Sequence, residues 1–125
     1  MKQFKFTVNM PPSTNRIWRN YKGRTVKSAE YRDWLKAAQW QFLETLDTNR
    51  PSEPLSGPVA LSIAMHSSED QRTWKRDLDS VIKPIGDLLE YVGLVLDDNQ
   101  VRRILATRNE PMLTGHCRVT LSELP

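Results

Sequence analysis

Polar and apolar positions alternate from the start of the chain: Phe4, Phe6 and Val8 share one side of "KQFKFTV", the period of a half-buried strand. Pro11 and Pro12 end it, and the following "MPPSTNRIWRNYKGRT" has turn residues but no period, which predicts a long loop. Ser28 is a candidate N-cap, after which the spacing changes to three and four. Tyr31, Trp34, Leu35, Ala38, Phe42 and Leu46 then form the core face of a helix over 29–47. A turn-rich "DTNRPSEPLSGP" leads into a second strand, "VALSIAMH" at 59–66, and a polar loop, "SSEDQRTWKR". Leu78, Val81, Ile82, Ile85, Leu88, Leu89 and Val92 return to helical spacing up to Gly93, which fits the residue just past a helix end, with Leu94 as its apolar follower. Pro84 lies early in this helix, so the first turn is expected to be distorted or the regular helix to begin late. "QVRRILATRNE" and "HCRVTLSEL" read as two closing strands joined by the turn "PMLTG", with His116 in a hairpin.

The order β-α-β-α-β-β predicts an α+β fold: two helices packed on one mixed sheet, in a single domain over residues 1–125. The Pro- and Ser-rich connection near residue 50 is not a domain boundary, because neither half could bury a core alone. With 38% hydrophobic and 26% charged residues the composition is that of a globular protein. No apolar run approaches the roughly 20 residues needed to span a bilayer, and the first ten residues lack a signal-peptide core. Cys117 is the single cysteine, which excludes an internal disulfide and a thiolate metal cluster. These features predict a cytoplasmic protein with no membrane association and no small-molecule cofactor.

Charge changes the picture more than composition does. Net charge is +3, yet residues 1–36 hold nine Lys and Arg against Glu30 and Asp33, and the remainder is net negative. A basic first segment is either a solvated face or the footprint of an anionic partner such as nucleic acid.

"KRDLDSVIKP", residues 75–84, gathers Asp77 and Asp79 with Lys83 where an apolar helix is about to begin. A helix start explains one of the aspartates as an N-cap, worth roughly 1 kcal/mol. An i, i+4 pair of Asp79 with Lys83 adds about 0.2–0.5 kcal/mol. The second aspartate is then only a surface charge. The functional alternative needs a third carboxylate. Asp98 can return along the helix if "LVLDD" runs nearly straight, since the outward run is about 20 Å and the five return steps reach roughly 17 Å. Asp87, on the stripe of Asp79 and Lys83, is a nearer rival. Converging carboxylates resist ionisation unless a cation neutralises them. Oxygen donors without His or Cys favour Mg²⁺, with Mn²⁺ as a substitute. Such a site, with a lysine beside it and Lys75 and Arg76 to grip phosphates, suits metal-dependent hydrolysis of nucleic acid.

An ordered series of motifs across nearly the whole chain resembles the RusA family of Holliday-junction endonucleases, small proteins of bacteria and their phages. "PPSTNRIWR" is similar to the family's PPSxNR segment, "SAEYRDW" to its first helix, "RDLDSVIKP" to its R-D-x-D-N-x-x-K signature and "GLVLDDNQV" to its D-D-x-Q-V segment. Ser80 departs from the pattern, where the family has Asn. The resemblance implies a homodimeric, Mg²⁺-dependent enzyme that resolves four-way DNA junctions by paired symmetric nicks, in recombination and repair. It implies Asp77, Asp79 and Asp98 as metal ligands, Lys83 as the base-like or charge-stabilising lysine and Asp97 as an accessory neighbour. Ser13, Thr14, Asn15 and Arg16, with Thr73, Trp74, Lys75, Arg76 and Ser80, would contact DNA. Two alternatives within the same fold are an inert DNA-binding accessory protein and a nuclease for forks or flaps. The full set of Asp77, Asp79, Lys83 and Asp98 favours an enzyme, because a binding module has no use for clustered carboxylates beside phosphates. Trp34 reads as core by its period, while Trp18 and Trp74 stand in basic loops suited to stacking or wedging at a junction. His66 and His116 have no metal-ligand spacing and read as structural or surface residues. One of Arg102 and Arg103 would be a DNA contact and the other a sheet-edge charge.

Overall fold

The computed structural model describes residues 2–13, 17–69 and 77–125. A first strand, β1 (Gln3–Asn9), buries Phe4, Phe6 and Val8 and exposes their neighbours. Its outer edge is closed by the first helix, α1 (Ala29–Thr45): the N–H groups of Lys5, Thr7 and Asn9 donate to Asp47, Thr45 and Gln41 at 3.0, 2.8 and 2.8 Å. Ser28 caps α1 as expected, its hydroxyl accepting the N–H of Tyr31 at 3.1 Å. Tyr31, Trp34, Leu35, Ala38 and Phe42 are buried on one face, and Phe42 meets Phe6 edge-on at 5.0 Å.

The segment between β1 and α1 is not the long loop its sequence predicts. It forms a hairpin, β2 (Trp18–Tyr21) paired antiparallel with β3 (Arg24–Lys27). The two turn residues, Lys22 and Gly23, both have positive φ, 49° and 75°, as a type I′ turn requires. Hydrophobic alternation could not reveal this hairpin because seven of its eight strand residues are exposed.

β4 (Val59–Ser68) is the long inner strand of the main sheet, and α2 (Ile82–Tyr91) follows a 3₁₀ turn at Leu78–Val81. Pro84 thus sits third in the α-helix, where the backbone N–H has no intrahelical partner and its loss costs little. Gly93 has φ 78°, and the N–H groups of Gly93 and Leu94 reach the carbonyls of Glu90 and Leu89, both at 3.0 Å. This is the Schellman end expected from the sequence. β5 (Val101–Met112) then runs parallel to β4, and β6 (His116–Glu123) runs antiparallel to both β4 and β1.

The sheet order is β1-β6-β4-β5, mixed, with both helices packed on it and on each other, an α+β architecture. The two last strands are joined by a short turn but are not a paired hairpin: β4 lies between them. The connection therefore crosses the end of β4, and it passes so close that a Cβ at Gly115 would stand 3.2 Å from the Ser68 nitrogen. The same crossing stacks His116 on His66, ring centres 4.8 Å apart, so the histidines pack on each other. Buried apolar side chains from β1, β4, β6 and both helices form one cluster. β5 is left at the sheet edge, with Ile104 and Leu105 exposed. Among the described residues no helix is long and apolar enough to cross a membrane.

Candidate active site

Asp77 stands at the N-cap position of the 3₁₀ turn before α2, in extended conformation, yet its side chain makes no capping hydrogen bond. The turn is held through the backbone: the N–H and hydroxyl of Ser80 both donate to the Asp77 carbonyl, at 3.1 and 2.6 Å. Capping therefore does not account for the Asp77 carboxylate. Asp77 and Asp79 are exposed, and Ser80 is buried beneath them.

Beyond Gly93 the chain turns back along α2, forming a bridge between Val95 and Leu55, and brings Asp98 opposite Gly86. A β-carbon at Gly86 would lie 3.8 Å from the Asp98 carboxylate, in ordinary van der Waals contact, so the returning segment packs directly on this face of α2. The adjacent aspartates divide their work. Asp97 caps the short turn Asp98–Gln100: its carboxylate accepts the Asn99 N–H at 2.9 Å, and Gln100 Oε1 accepts the Asp97 N–H at 3.0 Å. Gln100 also donates to the carbonyls of Leu55 and Gly57, at 2.8 and 2.9 Å. The turn is pinned on both sides, and Asp98 is the member of the pair directed at α2.

Lys83 lies between two carboxylates. Its Nζ is 3.0 Å from Asp87 Oδ1 and 3.4 Å from Asp98 Oδ2. The second oxygen of Asp87 accepts a 2.5 Å hydrogen bond from the Tyr31 hydroxyl. Burial and then the bond to Asp87 push the Tyr31 phenol far above its ordinary range, which keeps it a donor. Lys83 is also raised, chiefly by its hydrogen bond with Asp87; partial burial opposes this, and the charges of Asp87 and Asp98 assist it. At neutral pH this side chain is an ammonium.

Asp79, Lys83 and Asp98 line one pocket of about 400 Å³, together with Gly86 and apolar residues that include Leu61 and Ile104. Three of the four residues singled out in the sequence are thus brought together, and the fourth, Asp77, lies two positions before Asp79. One oxygen each from Glu90, Asp97 and Asp98 also lie within 4.8 Å of one another. Glu90 also accepts the Asp98 N–H at 2.5 Å. Among the described residues the candidate ligands around Asp98 are carboxylate oxygens, a hard set suited to a divalent cation with oxygen coordination and a poor match for zinc or copper.

Residues 9–122 match the family described as Endodeoxyribonuclease RusA. The crossover junction endodeoxyribonuclease RusA of Escherichia coli K12 is 33% identical over 127 residues, covering 99% of this chain and 98% of that protein. The protein of that name from Enterobacteria phage 82 is also 33% identical with the same coverage, and that of Shigella sonnei is 32% identical. The chain belongs to the RusA family. This bears out the resemblance carried by its motifs and the class of enzyme they imply, an endodeoxyribonuclease.

Sequence reasoning missed two members of this site. No motif singles out Glu90, and Tyr31 reads only as core. A buried tyrosine hydroxyl needs a partner, and that was the available signal for Tyr31. The Asp97–Gln100 spacing likewise matches a capping box. Of the residues the resemblance places on DNA, Ser13 is half-buried and Ser80 buried. Thr14, Asn15, Arg16, Thr73, Trp74, Lys75 and Arg76 lie outside the described residues.

Proposed function

We propose that this RusA-family chain is a Mg²⁺-dependent, structure-selective endonuclease that resolves four-way DNA junctions by paired symmetric nicks, within the cytoplasm and in recombination and repair. The observation that carries the reading is the convergence of Asp79, Lys83 and Asp98 on one pocket in a member of this family. Asp79 and Asp98, with Asp77 beside them, would hold the metal. Mg²⁺ bound there supplies a Lewis acid and a source of activated water.

The chain's own residues do the rest. The carboxylates direct their oxygens at the pocket, while the Asp97–Gln100 cap keeps Asp98 from drifting. Lys83 presents a positive charge where negative charge grows on a phosphoryl group during in-line attack, and a preorganised charge there stabilises the transition state more than the ground state. Asp87 and Tyr31 fix the direction of that ammonium. The test is incubation of the protein with end-labelled four-way junction, fork and linear duplex, with and without Mg²⁺. Symmetric nicks in opposed strands of the junction, only with the metal, are expected. Equal cutting of linear duplex, or of forks in preference to junctions, would overturn the assignment.

Resolution needs two opposed cuts, and among the described residues one chain brings its candidate carboxylates to one such pocket. We therefore place the active enzyme as a C₂ homodimer with an isologous interface. Sedimentation at micromolar concentration should give twice the 14.5 kDa of the chain. A monomer that still makes both cuts would refute the dimer.

A further inference from the structure

The hairpin β2–β3 has no explanation in the core. Its strand residues are exposed apart from the half-buried Val26, and an isolated two-stranded hairpin is only marginally stable in water. Residues 17–27 carry Arg19, Lys22, Arg24 and Lys27 with no acidic residue. The hairpin also holds two aromatic rings in solvent, Trp18 at 44% and Tyr21 at 46% exposure.

These rings are differently placed. Arg19 and Lys22 lie over Tyr21, at 5.7 and 5.3 Å from its centre. Tyr21 thereby orders two long cationic side chains that would otherwise lose rotamer entropy on gripping a phosphate. Trp18 has no ring or cation contact among the described residues, and its exposed indole remains available. The type I′ turn at Lys22–Gly23 fixes the tip.

The base of the hairpin is tied to the candidate active site. Ile17 is fully buried, and its carbonyl accepts the Ser28 N–H at 2.8 Å. Lys27 lies over the Tyr31 ring at 5.7 Å, and Tyr31 leads through Asp87 to Lys83. The base of the arm is thus linked through consecutive side-chain contacts to the lysine of the pocket.

We propose that the β2–β3 hairpin is a DNA-reading arm that divides two tasks: Arg19, Lys22 and Arg24 grip backbone phosphates, and Trp18 stacks on a base face opened at the branch point. The assignment rests on the branched-DNA reading above. Its occupant is the DNA substrate itself. Cation and aromatic ring are separable because intact duplex offers phosphates everywhere but open base faces nowhere. Stacking on Trp18 therefore adds affinity only for branched DNA, while the cations add salt-dependent affinity for any duplex.

The test is binding by fluorescence anisotropy, without divalent metal, of full-length protein to a four-way junction and to linear duplex across a salt series. The triple substitution Arg19→Ala, Lys22→Ala, Arg24→Ala should flatten the plot of log affinity against log salt by about 0.9 for each phosphate no longer neutralised, for both DNAs. Trp18→Ala should weaken junction binding about tenfold and leave duplex binding within twofold of wild type. Circular dichroism should show both variants folded, since these side chains lie outside the core. Unchanged slopes and unchanged junction affinity, with wild type still preferring junctions, would overturn the arm and leave the nuclease reading standing. Wild-type protein with no preference for the junction would instead overturn the branched-DNA reading on which the arm rests.

Discussion

Asp79→Asn should abolish cleavage of a four-way junction while leaving binding intact or tighter. The amide keeps the shape of the side chain but removes a negative charge, so the site holds a divalent cation less well. Repulsion between the pocket and a DNA phosphate falls at the same time. The loss of rate should be at least on the order of 10²–10³-fold, the scale on which one preorganised electrostatic group acts in catalysis. Asp98→Asn should behave alike, because Asp98 shares the pocket with Asp79 and is also 3.4 Å from Lys83. Asp77→Asn belongs with them on the strength of the family motif and its uncapped carboxylate. Single-turnover cleavage with Mg²⁺, beside binding measured without it, separates the two effects. An Asp79→Asn protein that nicks at near wild-type rate would remove Asp79 from the metal ligands. Asp97→Asn makes a useful contrast, because an asparagine can still cap the Asp98–Gln100 turn. Its damage to cleavage should be clearly the smaller.

What the sequence disclosed and what it hid follow from the reach of each signal. Local signals transferred well: the three-and-four period of Tyr31, Trp34, Ala38 and Phe42 placed α1, Ser28 marked its start and Gly93 the end of α2. Pro84 announced the late start of the regular helix because its effect is confined to one turn. The β2–β3 hairpin was invisible for the opposite reason: with seven of its eight strand residues exposed, it has no apolar face to print on the chain. Pairing β4 between β5 and β6 is a long-range event, and a short turn after β5 looks the same whether or not the strands it joins are neighbours.

The site was partly legible by the same logic. Chain length showed that Asp98 could return along α2, but not that it would pack against Gly86 and face Lys83. Two adjacent aspartates look equivalent in a sequence. They separate only when Gln100 locks one into a cap and leaves the other facing Lys83. Asp87 was a fair rival for the third carboxylate by spacing. In the structure its two oxygens contact Tyr31 and Lys83, and it is not among the residues that line the pocket with Asp79 and Asp98.

Lys83→Ala should lower the single-turnover rate by on the order of 10²-fold or more at saturating enzyme, with little change in affinity for the junction. A charge aimed at what develops in the transition state is missed when the phosphate reacts, not when DNA arrives. Geometry extends this to the residues behind the lysine. Asp87→Asn loses the anionic partner 3.0 Å from Nζ, and Tyr31→Phe loses the hydroxyl that aims Asp87. Both should slow turnover, Asp87→Asn more than Tyr31→Phe, and both less than Lys83→Ala. The decisive comparison is the double variant. If Asp87 acts only by directing Lys83, then adding Asp87→Asn to Lys83→Ala costs nothing further in rate, since residues acting as a unit are not additive. A purely structural role predicts additive losses accompanied by a matching fall in thermal stability. If Lys83→Ala instead weakens binding and leaves the single-turnover rate unchanged, Lys83 is a phosphate contact like any other surface lysine, and the Tyr31–Asp87 support behind it has no part in the chemistry.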